Sequence, residues 1–273
     1  GLVPDDCPSP LDDRVEFERQ LIGALGDTED TPSVGYTLRN LRQAGSALRE
    51  RLSPEHWNFI KQAEENFLRE ARRLRDDGGQ GADALQQLAA VSRALSAITG
   101  AQHDRMWRDD GWRLLSAGRQ IERLTYLSEA LSRGFYTNAV HDAAGFGVVL
   151  DLFDSTISFH ARYQRSRAIA ALIEHVVLNF ENPRSLGWVV QTLNGRLARL
   201  HEREPGPLED LSKRLQPPGA DELTRLCQSD HIGDFVHLQA LLQQFMKAGA
   251  QLSTDISLRH FTHTGEVRRS TGV

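Results

Sequence analysis

The 273-residue sequence holds two cysteines, two methionines and only three lysines, and aromatic residues make up 7% of it. Cys7 and Cys227 are too few for a disulfide framework in a chain of this length, so a packed core must hold the fold. No apolar run nears the ~20 residues of a membrane span, and the opening GLVPDDCPSP has no signal-peptide pattern. These absences point to a cytoplasmic protein without a membrane segment. The net charge of −5 gives no sign of a nucleic-acid partner. There is no Walker A motif, dinucleotide fingerprint, zincin motif or Gly-x-Ser-x-Gly elbow, so no cofactor or metal is expected. His260 and His263 have the i,i+3 spacing of a chelate, but no Glu or Cys accompanies them.

Scarce lysine is matched by abundant arginine: Lys61, Lys213 and Lys247 leave twenty-nine arginines. A GC-rich genome produces such a bias, and so does recognition of planar anions by guanidinium groups. Hydrophobic residues at 40% and charged residues at 25% suit a chain that buries a sizeable core.

The periodicity is helical almost everywhere. Leu85, Leu88, Ser92, Leu95 and Ile98 form one stripe, and Phe235, Leu238, Leu242, Phe245, Leu252 and Ile256 another. Ser53-Pro54 reads as an N-cap before a first-turn proline, opening a helix that runs towards Arg75 and breaks at DDGGQG, 76–81. A second breaker, from 202, carries Pro205, Pro207, Pro217 and Pro218. FGVVLDLF, 146–153, fits a buried helix as well as a strand. The fold class is all-α, a multi-helix bundle.

An offset of 152 residues lays SVGYTLRNLRQAGSALRER, from Ser33, over SLGWVVQTLNGRLARLHER, from Ser185. Ser33/Ser185, Gly35/Gly187, Leu41/Leu193, Leu48/Leu200, Glu50/Glu202 and Arg51/Arg203 coincide, with Tyr36 over Trp188. Upstream, EDTP at 29–32 faces FENP at 180–183 with a one-residue slip. A single helical domain with an internal pseudo-twofold repeat follows, its first repeat a remnant of about 11–100 and its second about 101–265.

Within the second repeat, GWRLLSAGRQIERLTYL, 111–127, sets charges among apolar residues. Trp112, Leu115, Arg119, Glu122 and Tyr126 follow at helical steps. Arg before Glu at i,i+3 is the weaker order, and Arg119 and Arg123 repel at i,i+4, so local helix support explains the motif poorly. A buried network explains it better. Arg119 and Glu122 are expected to point into the bundle, with Glu122 paired to Arg39, Arg42 or Arg162, because a lone charge there would lose its hydration without return.

Three stretches together carry a resemblance: MWRDDGWRLLSAGRQIERL (106–124), STISFHARYQRSRAIAALIEHVVLNFENPRSLGWVVQTL (155–193) and TPSVGYTLRNLRQAGSALRERLSPEHW (31–57). The chain resembles the alpha-E domain, an all-helical bacterial family named for its Glu-Arg motif, over most of residues 15–265. The resemblance implies a partnership with a circularly permuted ATP-grasp protein, fused or separate, often beside a transglutaminase-like protease. The implied business of such systems is ATP-dependent amide or peptide bond formation. Two departures stand out. The family's usual opening helix with its own Glu-Arg motif is absent. Glu122 lies 63 residues before Ser185, so the counterpart 63 residues before Ser33 falls at position −30. A helix bearing it is expected before residue 1 or from another chain. Its absence would expose apolar surface near Trp112 or Leu38. Leu124-Thr125 also follows Glu122-Arg123 where the family commonly has a small residue and an acid.

The candidate substrate-binding residues are Arg119, Arg123, Arg39, Arg42, Arg162, Tyr163 and Arg184, a set able to line a cationic cavity; solvated helix surface is the bland reading of the same residues. Asn182-Pro183-Arg184-Ser185 reads as a turn and helix start. The expected function is an accessory module that holds an anionic substrate for an ATP-grasp ligase. The alternatives are an enzyme using Glu122 as general acid or base in a pocket beside Trp112 and Tyr126, and a plain helical scaffold.

Overall fold

The computed structural model describes residues 10–29, 33–203, 211–229 and 234–261. Those residues form helices and turns with no strand. The chain divides into two compact units, residues 1–107 and 108–273. No described helix is long and apolar enough to cross a membrane.

The first unit comprises α1 (Pro10–Ala24), α2 (Val34–Ala47), α3 (Pro54–Asp76) and α4 (Gly81–Arg105). Helix α3 starts and stops where its sequence directs. The Ser53 hydroxyl accepts from His56 N at 3.1 Å, Pro54 fills the first turn, and Gly78, at φ +67°, takes the left-handed conformation just past the end. Ile60, Ala63, Phe67, Ala71 and Leu74 recur at steps of three and four and are buried, the first four packing with Leu38 of α2 and Val91 and Ile98 of α4, and Leu74 with Ile22 of α1 and Ala84 of α4. One carboxylate, Glu64, is buried on this helix. It accepts from Arg42 of α2 at 2.5 Å, and Arg42 also reaches Glu65 at 3.3 Å. Arg42 therefore closes a structural ion pair between α2 and α3; it does not pair with Glu122.

The second unit is built on α5 (Asp110–Tyr136), which Asp109 caps by accepting from Trp112 N at 3.0 Å. Helices α6 (Ala143–Leu152), α7 (Thr156–Tyr163) and α8 (Ile169–Ile173) follow, and α8 continues as a π turn over Glu174–Leu178. Then come α9 (Leu186–Arg203), the short α10 (Leu223–Leu226) and α11 (Val236–His260). FGVVLDLF resolves as helix, with Phe146, Val149 and Leu150 buried on one side of α6. Helix α5 packs against both α9 and α11. Ala117, Leu124, Leu127 and Leu131 enter the same core as Leu193 of α9 and Leu242, Phe245 and Leu252 of α11. Gly249 sets the approach of α11, because a Cβ there would lie 2.7 Å from the Thr125 hydroxyl.

The 152-residue offset recurs as geometry at two helix openings. The Ser33 hydroxyl donates to Asp27 O at 2.5 Å and accepts from Tyr36 N at 3.1 Å. The Ser185 hydroxyl donates to Asn179 O and accepts from Trp188 N at 3.1 Å. Asp27 and Asn179 make matching side-chain turns, each accepting from a glutamate amide (Glu29 and Glu181) at 2.8 Å. A Cβ at Gly35 would lie 2.8 Å from Asp27 O, and one at Gly187 3.0 Å from Val177 O. The same offset carries α4 onto α11, but α3 onto 206–228, where the described part holds only short turns and α10. The recurrence is thus established for the helix opening alone. Pro32, Pro205, Pro207 and His263 lie outside the described residues.

Trp112 and Leu38, expected beside an uncovered apolar face, are buried, at 7% and 2% exposure. The large exposed apolar side chains lie elsewhere, at Leu85, Tyr126 and Ile157 among others.

Two substitutions test the shared opening in urea melts. Gly35→Ala should destabilise by about 1–3 kcal/mol, since the clash is with backbone that cannot swing aside. Ser185→Ala should cost about 1 kcal/mol through the lost cap. Neutral behaviour of both would show that the geometry carries no stability.

Candidate functional site

Along α5, Trp112, Arg119 and Arg123 lie within about 20° of one direction, because seven and eleven residues close to near whole turns. Trp112 is buried, and both arginines are half-buried. Glu122 is exposed, as is Tyr126. The expectation that Glu122 points inward is therefore corrected. The cause is angular drift: Glu122 stands about 80° round the helix from Trp112, on the outward row with Gly118, Glu129 and Arg133. A solvated carboxylate on that row is not the pocketed acid that an enzyme built on Glu122 requires.

Arg123 sits where three guanidinium groups gather. Burial first, then the positive charges of Arg184 and Arg119, lower its pKa from the usual arginine value, and it stays protonated. Burial lowers the Arg119 pKa as well. Among the described residues no carboxylate meets Arg123. Arg184 is brought here by the turn ahead of α9, where its amide donates to Asn182 Oδ1 at 3.0 Å. Asp154, left-handed at φ 47° just past α6, holds the Arg184 guanidinium at 3.0 Å. Of the seven candidate binding residues, Arg119, Arg123 and Arg184 thus come together.

The other four have partners within their own units. Arg39 donates to Thr28 at 2.8 Å and lies 3.6 Å from Glu29. Arg42 is held by Glu64. Arg162 pairs with Glu174 at 2.9 Å and stacks over Tyr163 at 5.5 Å, so it does not serve Glu122 either. Tyr163 packs against Phe159 and His175; burial, then Glu174, raises its pKa.

Sequence reasoning missed a second cationic group three turns back along the same α5–α9 seam. Two guanidinium groups lie over the Trp112 ring, Arg108 at 4.2 Å and Arg196 at 4.5 Å. Burial lowers the Arg196 pKa, followed by Arg199, Arg108 and Arg113, and its Nε is buried without a hydrogen-bond partner. The Arg108–Trp112 spacing of four was legible in the sequence. Arg196 was not, because it reaches Trp112 only through the antiparallel packing of α9 on α5.

A buried polar cluster braces the turn that carries Arg184. Asn182 donates to Ser155 Oγ at 3.0 Å and to His175 O at 3.2 Å, and the Ser155 hydroxyl donates to Phe153 O at 2.8 Å. His175 Nε2 lies 2.9 Å from Ser158 Oγ, whose proton is committed to Ser155 O at 3.0 Å. The consistent assignment has Nε2–H donating to Ser158 and Nδ1 as a bare buried acceptor. No carboxylate orients the ring from Nδ1, so this is a brace and not an activated serine. Among the described residues no group of three or more His, Cys, Asp or Glu side chains is placed to hold a metal ion.

Burial lowers the pKa values of His175 and His56, which keeps both rings neutral in the folded chain. Below about pH 6.5 the unfolded chain takes up protons that the folded chain refuses. Stability should be full above that pH and fall as pH drops through it. Urea midpoints at pH 7.5 and 5.5 check this, and His175→Gln should flatten the dependence. A midpoint higher at pH 5.5 would contradict the assignment.

The helical fold and the Glu122-Arg123 pair on α5 are what the comparisons with known proteins bear on. The Alpha-E family model, a predicted alpha-helical domain with a conserved ER motif, matches residues 7–261. An uncharacterized protein of Mycobacterium tuberculosis and one of Mycobacterium bovis are each 23% identical over 258 residues, covering 90% of this chain and 29% of theirs. The chain therefore spans less than a third of the length of these relatives. No solved structure matches it. On its helical fold and the match across nearly its whole length, the chain belongs to the Alpha-E family.

Proposed function

We propose that this chain is a helical binding module that holds an anionic group of a substrate for an ATP-grasp ligase forming amide or peptide bonds. The observation that carries the anion site is Arg123: half-buried, beside Arg184 and Arg119, and met by no carboxylate among the described residues. A guanidinium so placed has lost hydration and gained no counter-charge, which costs stability unless a ligand supplies one. Its planar fork suits a carboxylate or a phosphate group. The ligase is proposed from the alpha-E resemblance, and it would supply the nucleotide chemistry for which this sequence has no motif. On the same resemblance a transglutaminase-like protease stands beside it in a cytoplasmic, bacterial system. The reading of Glu122 as general acid or base is not taken up, because that carboxylate is exposed.

The sign of a stability change separates binding from packing. Arg123→Met keeps the aliphatic stem and removes the charge, so its melting temperature should equal or exceed that of the wild type. Arg123→Lys should remain folded and lower ATP-dependent ligation, assayed with the cognate ATP-grasp protein, by about tenfold or more. A marked loss of melting temperature in Arg123→Met, or full ligation by folded Arg123→Lys, would overturn the proposal.

A further inference from the structure

The α5–α9 seam carries two separate groups of cations, and their spacing defines a ligand longer than one anion. Arg123 and Arg184 mark one end. Arg196, over the buried Trp112 ring, and Arg199, one turn further along α9, mark the other. Trp112 and Arg123 are eleven residues apart on α5, and Arg184 and Arg196 are twelve apart from the turn before α9 into that helix. At 1.5 Å per residue the α5 interval spans about 16–17 Å. Arg119, at an intermediate position on α5, is half-buried and shares the direction of Trp112 and Arg123.

We infer that this seam binds an extended acidic peptide, with carboxylates four to six residues apart seated at the Arg123/Arg184 and Arg196/Arg199 ends. The inference rests on the proposed anion site and names its ligand class. An extended chain advances about 3.3–3.6 Å per residue, so four to six residues cover the interval. The Arg196 end has an unmet need of its own, since its buried Nε has no partner. Charge complementarity favours a narrow chain over a nucleic acid. Exposed Glu122 and the Asp154 carboxylate flank the strip, and the chain as a whole carries −5. The Trp112 ring is also closed to base stacking, because guanidinium groups already lie within stacking distance of it and it is 7% exposed.

Calorimetric titration at low ionic strength with diglutamate, hexaglutamate and a six-nucleotide single strand tests the inference. Hexaglutamate should bind at least about tenfold tighter than diglutamate, as two linked subsites require. That ratio should fall below about threefold in Arg196→Gln, and also in Arg199→Gln, whose exposed position leaves folding undisturbed. A ratio near one in the wild type would overturn the two-ended site, as would a ratio unchanged in both folded variants. Tighter binding of the oligonucleotide than of hexaglutamate would overturn it in favour of nucleic acid. Arg123→Gln keeps the two levels apart. If it weakens diglutamate binding tenfold while the Arg196 and Arg199 variants leave the ratio intact, the extended ligand fails and the anion site stands. If it changes nothing, the anion site itself fails.

Discussion

Burial of α5 between α9 and α11 is the interaction on which the second unit depends. Its leucines enter one core with side chains of both neighbours, and Gly249 lets α11 come close enough to seal one side. The other side, towards α9, is not sealed by apolar atoms alone. Arg123 and Arg196 lie along it, and burial leaves their guanidinium groups partly dehydrated. A core of this size can tolerate that cost, and tolerating it keeps positive charge in a fixed place. The first unit treats a similar problem the opposite way: its buried Glu64 is answered by Arg42 across α2 and α3, so no charge is left over.

The contrast bears on what arginine abundance means here. Most of the ion pairs among the described residues join exposed side chains or neighbours within one helix, such as Arg19–Glu16 and Arg73–Glu70. Pairs of that kind contribute little to stability. Composition alone does not separate them from Arg123, whose difference lies in half-burial and the lack of a carboxylate among the described residues.

The sequence made much of this architecture legible, because helix signals are local. Ser53-Pro54, the Gly78 stop and the Ser33 and Ser185 caps depend only on near neighbours, and each opens or closes a helix where its residues indicate. The site was legible in part. Arg119, Arg123 and Arg184 could be named from one helix and one turn, whereas Arg196 needed the antiparallel pairing of α9 with α5. Glu122 was misplaced for a geometric reason: steps of three and four can be chained indefinitely, yet three-residue steps accumulate rotation, and a residue at the margin of the stripe turns to solvent. The supposed partners of Glu122 were each taken by nearer acids, Glu64, Glu29 and Glu174.

The Asp154–Arg184 pair has a consequence for how the site would discriminate. Arg184 already carries a resident carboxylate, held at the end of α6 by a left-handed residue. An arriving anion must therefore share Arg184 with Asp154 or displace it, a competition with a group whose local concentration never falls. A single dilute carboxylate is poorly matched for that contest, while a ligand anchored elsewhere along the seam meets it on equal terms. If the seam binds as proposed, the tether would act as a threshold, keeping small anions from a site that a polyvalent chain could enter.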